Sequence, residues 1–517
     1  MYLSRHKISG ILILFILILS FSCSAKKDTD SEKKPFTLVY KTSQNELSKQ
    51  KAEILQQQLK EVGIDLKIQS LEWATFYSDI LSGNFSIYSL EWVGIKDPDF
   101  YFDVFNSKSI PPNGLNRGRY KNPEMDRLTE LGRKTTDQEK RKEYYSEIQK
   151  IAAEDLPYIP LWHRTNIAAM RTYVEGFELY PSGDYYSFTK TSCEGKNELV
   201  IGIESEPTVL DPRFGTDAAS SRILQLICPG LLKTDLKGNL LPDIAESYKI
   251  ENDNVYIFKI RKDVYFHHNR QLTSKDVKFT LESILNPSTK SPKKGGFNLI
   301  ERIETPDDFT VKIYLKEVNA AFIQNMQIGI VPEDQIRKLK DDFQSRPVGA
   351  GPFQFEKWER GQYLILSRSK NYYENEPVLE KIRFKLIKEN TIRLLELEKG
   401  TIDFLQNDIP PDFLKRLYSN QEIKVIKAPS TNFSYIGFNL ENPILSNKDF
   451  RKALALAINR DMIIEHILKD EAEKATGILS HLSWAYDDNV KKYDFKPDLS
   501  KEILNKIFES IKNSSNK

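Results

Sequence analysis

The residue types that could carry out catalysis or hold a metal ion are few in this chain. Six histidines are spread over 517 residues, and His267-His268 is the single adjacent pair. Neighbouring side chains on a strand point to opposite faces, so on a strand these two rings could not easily share a metal ion. His163, in Leu161-Trp162-His163, is interpreted as a packed or hinge residue rather than a general base. The sequence therefore predicts no metal site.

Established catalytic motifs are also missing from the sequence. It contains no GxSxG elbow, no P-loop, no HExxH and no Rossmann-type glycine run after a strand. The cysteines Cys23, Cys193 and Cys228 form no CxxC pair and define no disulfide framework. We therefore predict no catalytic residue and no cofactor, and a binding protein is favoured over an enzyme.

Aromatic residues are the more informative group. The chain has 5 Trp, 24 Tyr and 28 Phe, which together make up 11% of its residues. Aromatic rings offer a large contact area at a small entropic cost, and exported binding proteins often line a ligand cleft with them. We expect most of these rings in the core and a few in a cleft.

The first 34 residues have the pattern of an export signal followed by a tether. Arg5 and Lys7 precede the apolar run Ile11–Leu19, which is too short to span a bilayer but suits a secretory signal, here 1–22. Ser20-Phe21-Ser22-Cys23 resembles a bacterial lipobox, which predicts lipidation of Cys23 and a polar tether over 23–34. The alternative is a plain secretory peptide or a short anchor that happens to contain a cysteine.

The charge balance excludes other classes of protein. There are 75 basic and 73 acidic side chains, and the surplus lies within the first 22 residues. A chain that is neutral from Cys23 onward is not typical of a nucleic-acid-binding protein. The many aromatic residues argue against intrinsic disorder.

From Pro35 onward, strands and helices alternate. Phe36–Tyr40 is predicted as a strand, and apolar residues at helical spacing then run to Val62, with Gly63 at the expected helix end. Ile64–Gln69 alternates as a half-buried strand does. This β-α-β order predicts a parallel sheet. A further strand is expected at Leu199–Ile203 and a helical run at Ser446–Leu468.

Several motifs together resemble the family 5 solute-binding proteins of bacterial ABC importers, which bind peptides and nickel complexes. The motifs cover nearly the whole chain after residue 34. They are Cys228–Tyr248, Tyr256–His267, Leu272–Phe279, Pro347–Phe353 with Trp358, Tyr435–Asn439, Phe450–Arg460, Gln57–Asp65, Leu90–Gly94 and Leu156–Trp162.

The order of these motifs differs from that of the family. The motifs at 57–162 resemble the late part of the family, whereas those at 228–460 resemble the part that precedes it. The chain therefore resembles a circular permutation, in which Cys193-Glu-Gly-Lys is either a relic of an earlier lipidated start or an ordinary linker. We also expect Pro35 to lie near the helix around Ile503.

The resemblance implies an α/β, two-lobed periplasmic binding protein fold of type 2, circularly permuted behind a lipoprotein signal peptide. Lobe I is expected at 163–430. Lobe II is expected to be assembled from 35–162 and 431–517. By the same resemblance, a small solute, foremost a peptide, binds between the lobes, and hinge closure traps it for delivery to an ABC transporter permease.

The expected partners are a peptide or small-molecule ligand, the permease and, through the lipid anchor, a membrane. The expected location is the bacterial cell envelope, where the protein is a monomer that binds no nucleic acid. The alternatives are a sensor or adhesin-like lipoprotein on the same fold, or a binder of nickel chelates or other solutes.

Peptide-binding members hold the ligand's amino terminus with an aspartate shortly after a Trp-x-Gly motif. Here Trp92 and Gly94 supply that motif, but Ile95 follows the glycine. Asp97 either substitutes from a shifted loop, or this protein does not recognise a free α-amine in the usual way.

Five further positions complete the expected site. Asn116 and Arg117, in Leu-Asn-Arg-Gly-Arg-Tyr120, are expected to offer donors to an anionic group. The alternative for these two is a solvated turn. Arg213 follows the first lobe I strand, and Trp358 and Tyr435 belong to motifs shared with the family.

Overall fold

The computed structural model describes residues 36–112, 114–407 and 409–515. The predicted signal peptide, the lipidation site Cys23 and the tether lie outside the described residues. Across the described ranges, no helix is both long enough and apolar enough to cross a membrane.

The strands of the described residues are numbered here in chain order. They are β1 Phe36–Ser43, β2 Ile64–Leu71, β3 Ile87–Trp92, β4 Tyr158–Arg164, β5 Asn166–Arg171, β6 Val174–Glu175, β7 Ser192–Cys193, β8 Glu198–Ile203, β9 Leu232–Thr234, β10 Leu240–Pro242, β11 Ala245–Glu251, β12 Val255–Ile260, β13 Ile300–Asp307, β14 Thr310–Leu315, β15 Phe353–Glu359, β16 Tyr363–Arg368, β17 Lys381–Leu386, β18 Phe404–Gln406, β19 Ile423–Ala428, β20 Phe433–Phe438 and β21 Ala472–Lys474.

The α-helices are numbered in the same way. They are α1 Glu46–Glu61, α2 Trp73–Ser82, α3 Phe100–Phe105, α4 Pro123–Lys134, α5 Gln138–Asp155, α6 Ala218–Ile227, α7 Ser274–Leu285, α8 Lys294–Phe297, α9 Glu333–Leu339, α10 Asn390–Lys399, α11 Pro411–Tyr418, α12 Lys448–Ala457, α13 Arg460–His466 and α14 Pro497–Ser515.

The predicted β-α-β unit is confirmed at β1, α1 and β2. The Asn45 side chain accepts a hydrogen bond from the Ser48 amide and begins α1. Gly63, at φ 90°, follows its end, because glycine adopts this left-handed conformation without strain. β1 and β2 then pair in parallel register.

The helical run predicted at Ser446–Leu468 is interrupted in the structure. It forms two helices, α12 and α13, with a break at Ile458. The Asn459 side chain accepts a hydrogen bond from the Met462 amide at 3.0 Å, so it caps a new helix instead of continuing the first.

The first sheet has the strand order β2-β1-β3-β20-β4-β21 and contains strands from both ends of the described chain. Alternate residues along β20 point to opposite faces. Ile436 packs in an apolar core with α1, α12 and α14, whereas Tyr435 packs in a second core with α2 to α5. The sheet is therefore covered on both faces.

Residues between the two parts of the first sheet form two further large sheets and the two-stranded sheets β10-β9 and β6-β7. The second sheet has the order β15-β16-β17-β8-β18-β5-β19, and the third has the order β11-β12-β14-β13. Each has its own apolar core. The strand predicted at Leu199–Ile203 is confirmed as the central β8.

The chain passes twice between the first and second sheets. Thr165 joins β4 to β5, and residues 429–432 join β19 to β20. We name these two connections the crossovers. Since β4 includes His163 and Arg164, the first sheet extends two residues past the boundary at 162 predicted from the sequence.

The two ends of the described chain lie in contact. The rings of Phe36 in β1 and Phe508 in α14 have centroids 6.1 Å apart, and Phe36 also meets Phe450 at 5.2 Å. Ile503 packs against the same core. The predicted proximity of the chain start to this helix is confirmed at Phe36, the residue after Pro35.

Candidate functional site

A cavity of about 880 Å³ lies between the first and third sheets. On the first-sheet side it is lined by the loop after β3 together with α3 and α4; on the other side it is lined by residues 292–325 around β13 and β14. A cavity of this volume suits a small organic ligand. We name it the tryptophan cavity, because Trp92 lines it.

Trp92 lies in a cluster of aromatic rings. Its ring stacks on Tyr435 with centroids 6.0 Å apart and meets Phe100 edge-on at 5.1 Å. Tyr158 stacks on the same Tyr435 at 4.1 Å. Gly437 makes room for this packing, since a Cβ atom there would lie 2.5 Å from the Tyr88 ring. The rings hold Trp92 rigidly at the edge of the cavity.

Arg117 packs against this cluster. Its guanidinium lies 4.2 Å from the centroid of the Trp92 ring and donates a hydrogen bond to the Tyr77 hydroxyl at 3.1 Å. The residue is 4% exposed, and its Nε atom has no hydrogen-bond partner among the described residues. The structure thus brings three predicted residues together: Trp92, Arg117 and Tyr435.

The loop after β3 is tied to a crossover. Gly94, at φ 67°, donates its backbone N–H to Asn432 Oδ1 at 3.0 Å. The N–H of Ile95 donates to the Thr431 carbonyl at 3.3 Å. Movement of the crossovers would therefore shift the loop that follows Trp92.

Asp97 lines the cavity but is already paired. Arg141 Nη2 donates to its carboxylate at 2.8 Å, and Arg133 likewise pairs with the neighbouring Asp99 at 2.6 Å. Burial raises the pKa of Asp97, although Arg141 opposes the shift. Burial and the charge of Asp99 raise the pKa of Asp103 to about 6. Asp97 serves as an internal ion-pair partner in this structure.

The structure places three predicted residues away from Trp92. Asn116 is fully buried, donates to the carbonyls of Asn106 and Tyr120, and holds a turn. Arg213 pairs with Asp211 at 2.6 Å.

Trp358, on β15, is the third of them. Its Nε1–H donates to Glu206 at 3.1 Å, and it lies under the Arg360 guanidinium. It packs against the core of the second sheet and does not line the tryptophan cavity.

His163, His267 and His268 have structural partners. His163 is buried, and its Nδ1 lies 3.0 Å from the Asn432 carbonyl, which joins β4 to the second crossover. Burial lowers its pKa. The adjacent pair lies in a turn and not on a strand. His267 contacts Gly351 and His268 contacts Asp334, so the two rings have different partners.

Polar residues that the motifs did not indicate line two adjoining cavities. One, of about 380 Å³, contains Lys96 and Lys293 and shares Gly296 and Gln324 with the tryptophan cavity. The other, of about 270 Å³, lies at the crossovers and contains Arg164 and Arg222. No sequence motif marked these residues, because they come from separate segments that meet only in the folded chain.

Contacts across the cleft join the first-sheet side to the other side. Lys96 Nζ donates to Gln327 Oε1 at 3.0 Å and lies 3.7 Å from Asp184. The Thr136 hydroxyl donates to Asp253 at 2.8 Å. Polar contacts thus hold the two sides together in this structure.

The sequence and the fold together identify the family. The chain belongs to the bacterial extracellular solute-binding proteins, family 5, whose model matches residues 23–113 and 239–514. It is 30% identical over 319 residues to the oligopeptide-binding protein AppA of Bacillus subtilis, which covers 59% of this chain and 58% of AppA. It is 28% identical over 312 residues to the glutathione-binding protein GsiB of Pectobacterium atrosepticum, covering 59% and 60%.

Solved structures show the same likeness. NikZ of Campylobacter jejuni in complex with Ni(L-His) matches with a TM-score of 0.53 at 27% identity, covering 60% of this chain and 63% of NikZ. AppA of Bacillus subtilis in complex with a nonapeptide matches with a TM-score of 0.53 at 28% identity, covering 60% and 64%. The chain spans about three fifths of the length of the curated relatives AppA and GsiB.

Proposed function

We propose that this protein is the substrate-binding component of an ABC importer and captures a peptide between two lobes. The observation that carries this proposal is the tryptophan cavity, which lies between two separately folded parts of the chain and is lined by both. Family membership and relatives named as oligopeptide- and glutathione-binding proteins support it.

In this proposal lobe II consists of the first sheet with its helices, and lobe I consists of the second and third sheets. Lobe II is then assembled from both ends of the chain, and lobe I is continuous. The shared first sheet supports this division. The pairwise comparisons support the circular permutation: each covers about three fifths of the chain, and an alignment that keeps residue order can follow only one of two exchanged blocks.

Hinge closure at the crossovers is the proposed trapping step. The second crossover is tied to the end of β4, next to the first crossover, because the Ser430 hydroxyl donates to the Arg164 carbonyl and the Asn432 carbonyl contacts the His163 ring. Two short connections held side by side can rotate together while the sheets stay rigid. Closure would exclude water from the cavity and strengthen the charge interactions within it.

The remaining parts of the proposal concern the location of the protein in the cell and its partners there. Members of an extracellular solute-binding family act outside the cytoplasm, so we place the protein in the bacterial envelope. There, a lipid on Cys23 would hold it at a membrane, and the closed form would deliver the solute to a permease.

Tryptophan substitutions test the proposed cleft. We expect the Trp92→Ala variant of the full-length chain to bind a panel of tripeptides about tenfold or more weakly, because a rigid aromatic contact is lost. The matched Trp358→Ala variant should bind within about twofold of the wild type, because Trp358 does not line this cavity. Isothermal titration calorimetry measures both affinities.

Two results would contradict the proposal. Equal binding by Trp92→Ala and the wild type would remove the tryptophan cavity from the site. A wild-type protein that binds no peptide, and whose radius of gyration in X-ray scattering does not change with peptide present, would overturn peptide capture itself.

A further inference from the structure

The cavity that adjoins the tryptophan cavity is lined by charged side chains of one sign. Its volume is about 380 Å³, and its ionisable lining residues are Lys96 and Lys293 together with the thiol of Cys228 and the hydroxyl of Tyr186; no carboxylate is among the described residues that line it. We name it the lysine cavity. Amides of Gln324, Asn325 and Gln327 and the Ser221 hydroxyl complete a lining rich in hydrogen-bond donors.

Lys293 carries a charge without a close partner. Among the described residues, no carboxylate lies within 4.0 Å of its ammonium group. Burial lowers its pKa to about 8, although Asp211 and Asp217 at longer range oppose the shift. Those two carboxylates are engaged elsewhere, since Asp211 pairs with Arg213 and Asp217 caps α6. A desolvated ammonium group in a cavity is stabilised by an anion.

Lys96 reaches the same cavity from the other side of the cleft. It lies on the loop after β3, and its ammonium group contacts Gln327 and, at 3.7 Å, Asp184. Asp184 also accepts hydrogen bonds from Ser182 and Gln225, so its negative charge is shared among several donors. Two lysines from opposite sides meet in one cavity only when the sides are together.

The two carboxylates on the loop after β3 are unavailable to a ligand amine. Asp97 and Asp99 are paired with Arg141 and Arg133, so neither is open to a ligand amine. The position after Gly94, where peptide-binding relatives are expected to carry an aspartate, holds Ile95. The loop after β3 thus brings no unpaired carboxylate to the cleft.

We infer that the lysine cavity is an anion subsite, in which a carboxylate of the captured solute is held between Lys96 and Lys293. This inference rests on the proposed function and narrows its substrates to solutes with an acidic group that enters this cavity. Because one lysine comes from each side of the cleft, the carboxylate would bridge the two sides and favour closure.

The carboxylate could come from an acidic side chain or from the end of a peptide. The probes are therefore Ala-Glu-Ala, Ala-Gln-Ala, the C-terminal amides of both, and succinate as a dicarboxylate without peptide bonds. Each is titrated calorimetrically into the full-length chain, the Lys293→Met variant and the charge-preserving Lys293→Arg variant. Lys294→Met is the matched control, because Lys294 is the next residue and does not line the cavity.

We expect Lys293→Met to weaken binding of the preferred acidic probe about 10-fold to 100-fold, as loss of a charge-assisted hydrogen bond predicts. Lys293→Arg should retain most of the affinity, and Lys294→Met should match the wild type. Without ligand, Lys293→Met should melt at the same or a higher temperature, because it removes a desolvated charge. Near pH 8, binding to the wild type should take up protons, since an anion raises the pKa of Lys293.

The outcomes separate this inference from the proposed function. Peptide binding that is equal in the wild type and Lys293→Met, with no preference for acidic probes, would overturn the anion subsite and leave peptide capture standing. Succinate binding that depends on Lys293, with no peptide bound, would support the subsite and overturn peptide capture. Binding of no probe at all would overturn both.

Discussion

Arg117 illustrates how much the neighbours of a side chain decide what it can do. In the sequence it is one of two arginines in a glycine-containing turn. In the structure it is almost fully buried, with its guanidinium stacked on Trp92 and hydrogen-bonded to Tyr77. Stacking on an aromatic face stabilises a cation by about 2 kcal/mol when both are desolvated. Its contribution is therefore to fix the orientation of Trp92 at the cavity edge.

Asp97 permits a prediction at the same scale. Asp97→Asn should lower the free energy of unfolding by about 3 kcal/mol, because it leaves the largely buried guanidinium of Arg141 without its carboxylate. Adding Arg141→Met should recover part of this loss, since the uncompensated charge is then gone. Urea denaturation of the two variants and the wild type measures the effect.

A different result would show that Asp97 binds the ligand. If Asp97→Asn leaves stability unchanged but abolishes binding of peptides with a free amine, while N-acetylated peptides still bind, Asp97 holds the ligand's amino terminus. The ion pair with Arg141 would then open when ligand enters.

At the scale of elements, the segment Pro347–Phe353 shows why a motif needs its particular residues. It lies against the end of α6, and a Cβ atom on Gly349 would lie 1.8 Å from the Ile227 carbonyl oxygen. A Cβ atom on Gly351 would lie 2.3 Å from the Leu226 carbonyl oxygen. Both contacts are with backbone, which cannot move aside as a flexible side chain does.

Gly349→Ala should therefore destabilise the protein by about 3 kcal/mol or more, or prevent it from folding. Gly295→Ala is the matched control, because a Cβ atom added at Gly295 would meet none of the described residues beyond its chain neighbours within 4 Å, and its φ is not positive. Thermal denaturation compares the two. Equal melting temperatures would contradict this prediction and show that the backbone of α6 shifts freely.

The contacts of this segment with His267 predict that the stability of the protein depends on pH. Its Nε2–H donates to the Gly351 carbonyl at 3.1 Å, and its Nδ1 accepts from the Gly349 amide at 3.2 Å, which requires the neutral ring. Burial lowers its pKa to about 4, against 6.5 in the unfolded chain. Between these values the unfolded state binds more protons, so stability is present above pH 6.5 and is lost as pH falls toward 4.

Through His267, the free energy of unfolding should fall by up to about 3 kcal/mol as the pH is lowered from 7 to 4. We expect His267→Gln to lose less stability than the wild type between pH 7 and pH 4, as followed by urea denaturation at each pH. His268→Gln is the matched control, because the His268 ring contacts Asp334 and not Gly349 or Gly351. An identical pH profile for wild type and His267→Gln would exclude His267 as the titrating group.

At the scale of the whole molecule, the first sheet and its helices are built from both ends of the described chain. β1 and α14 come from opposite ends of the described chain and pack in one core through Phe36, Phe450 and Phe508. Contacts between elements determine a fold more than the order in which the chain supplies them, provided that the ends to be joined lie close together.

A rearranged gene tests whether the order of the segments along the chain matters for folding. We expect a chain opened between Gly195 and Lys196, with Ser515 joined to Phe36 by a short Gly-Ser linker, to unfold in one cooperative transition. Its free energy of unfolding should lie within about 2 kcal/mol of that of the natural order, since closing a short loop costs little entropy. Gly195 suits the opening because a Cβ atom added there would meet none of the described residues beyond its chain neighbours within 4 Å. A rearranged chain that aggregates or loses peptide binding would contradict the permutation.

Local pattern was sufficient for part of the fold. The alternation of Ile64–Gln69 and the position of Gly63 predicted the parallel β1-α1-β2 unit, because these features depend on residues that are neighbours in the chain. The same reasoning failed at Ile458, where the side chain of Asn459 caps a new helix. Small energy differences decide whether a helix continues or whether a side chain caps a new one. The periodicity of the apolar residues does not reveal these differences.

The sequence by itself determined the family and the α/β order of elements, since these rest on residue type and local spacing. Tertiary structure alone showed that Asp97 is held by Arg141, that Asn116 and Arg213 are used internally, and that two lysines nearly 200 residues apart in the chain line one cavity. Charge pairing and cavities arise between distant segments. Their energies depend on burial and distance, which only the folded chain defines.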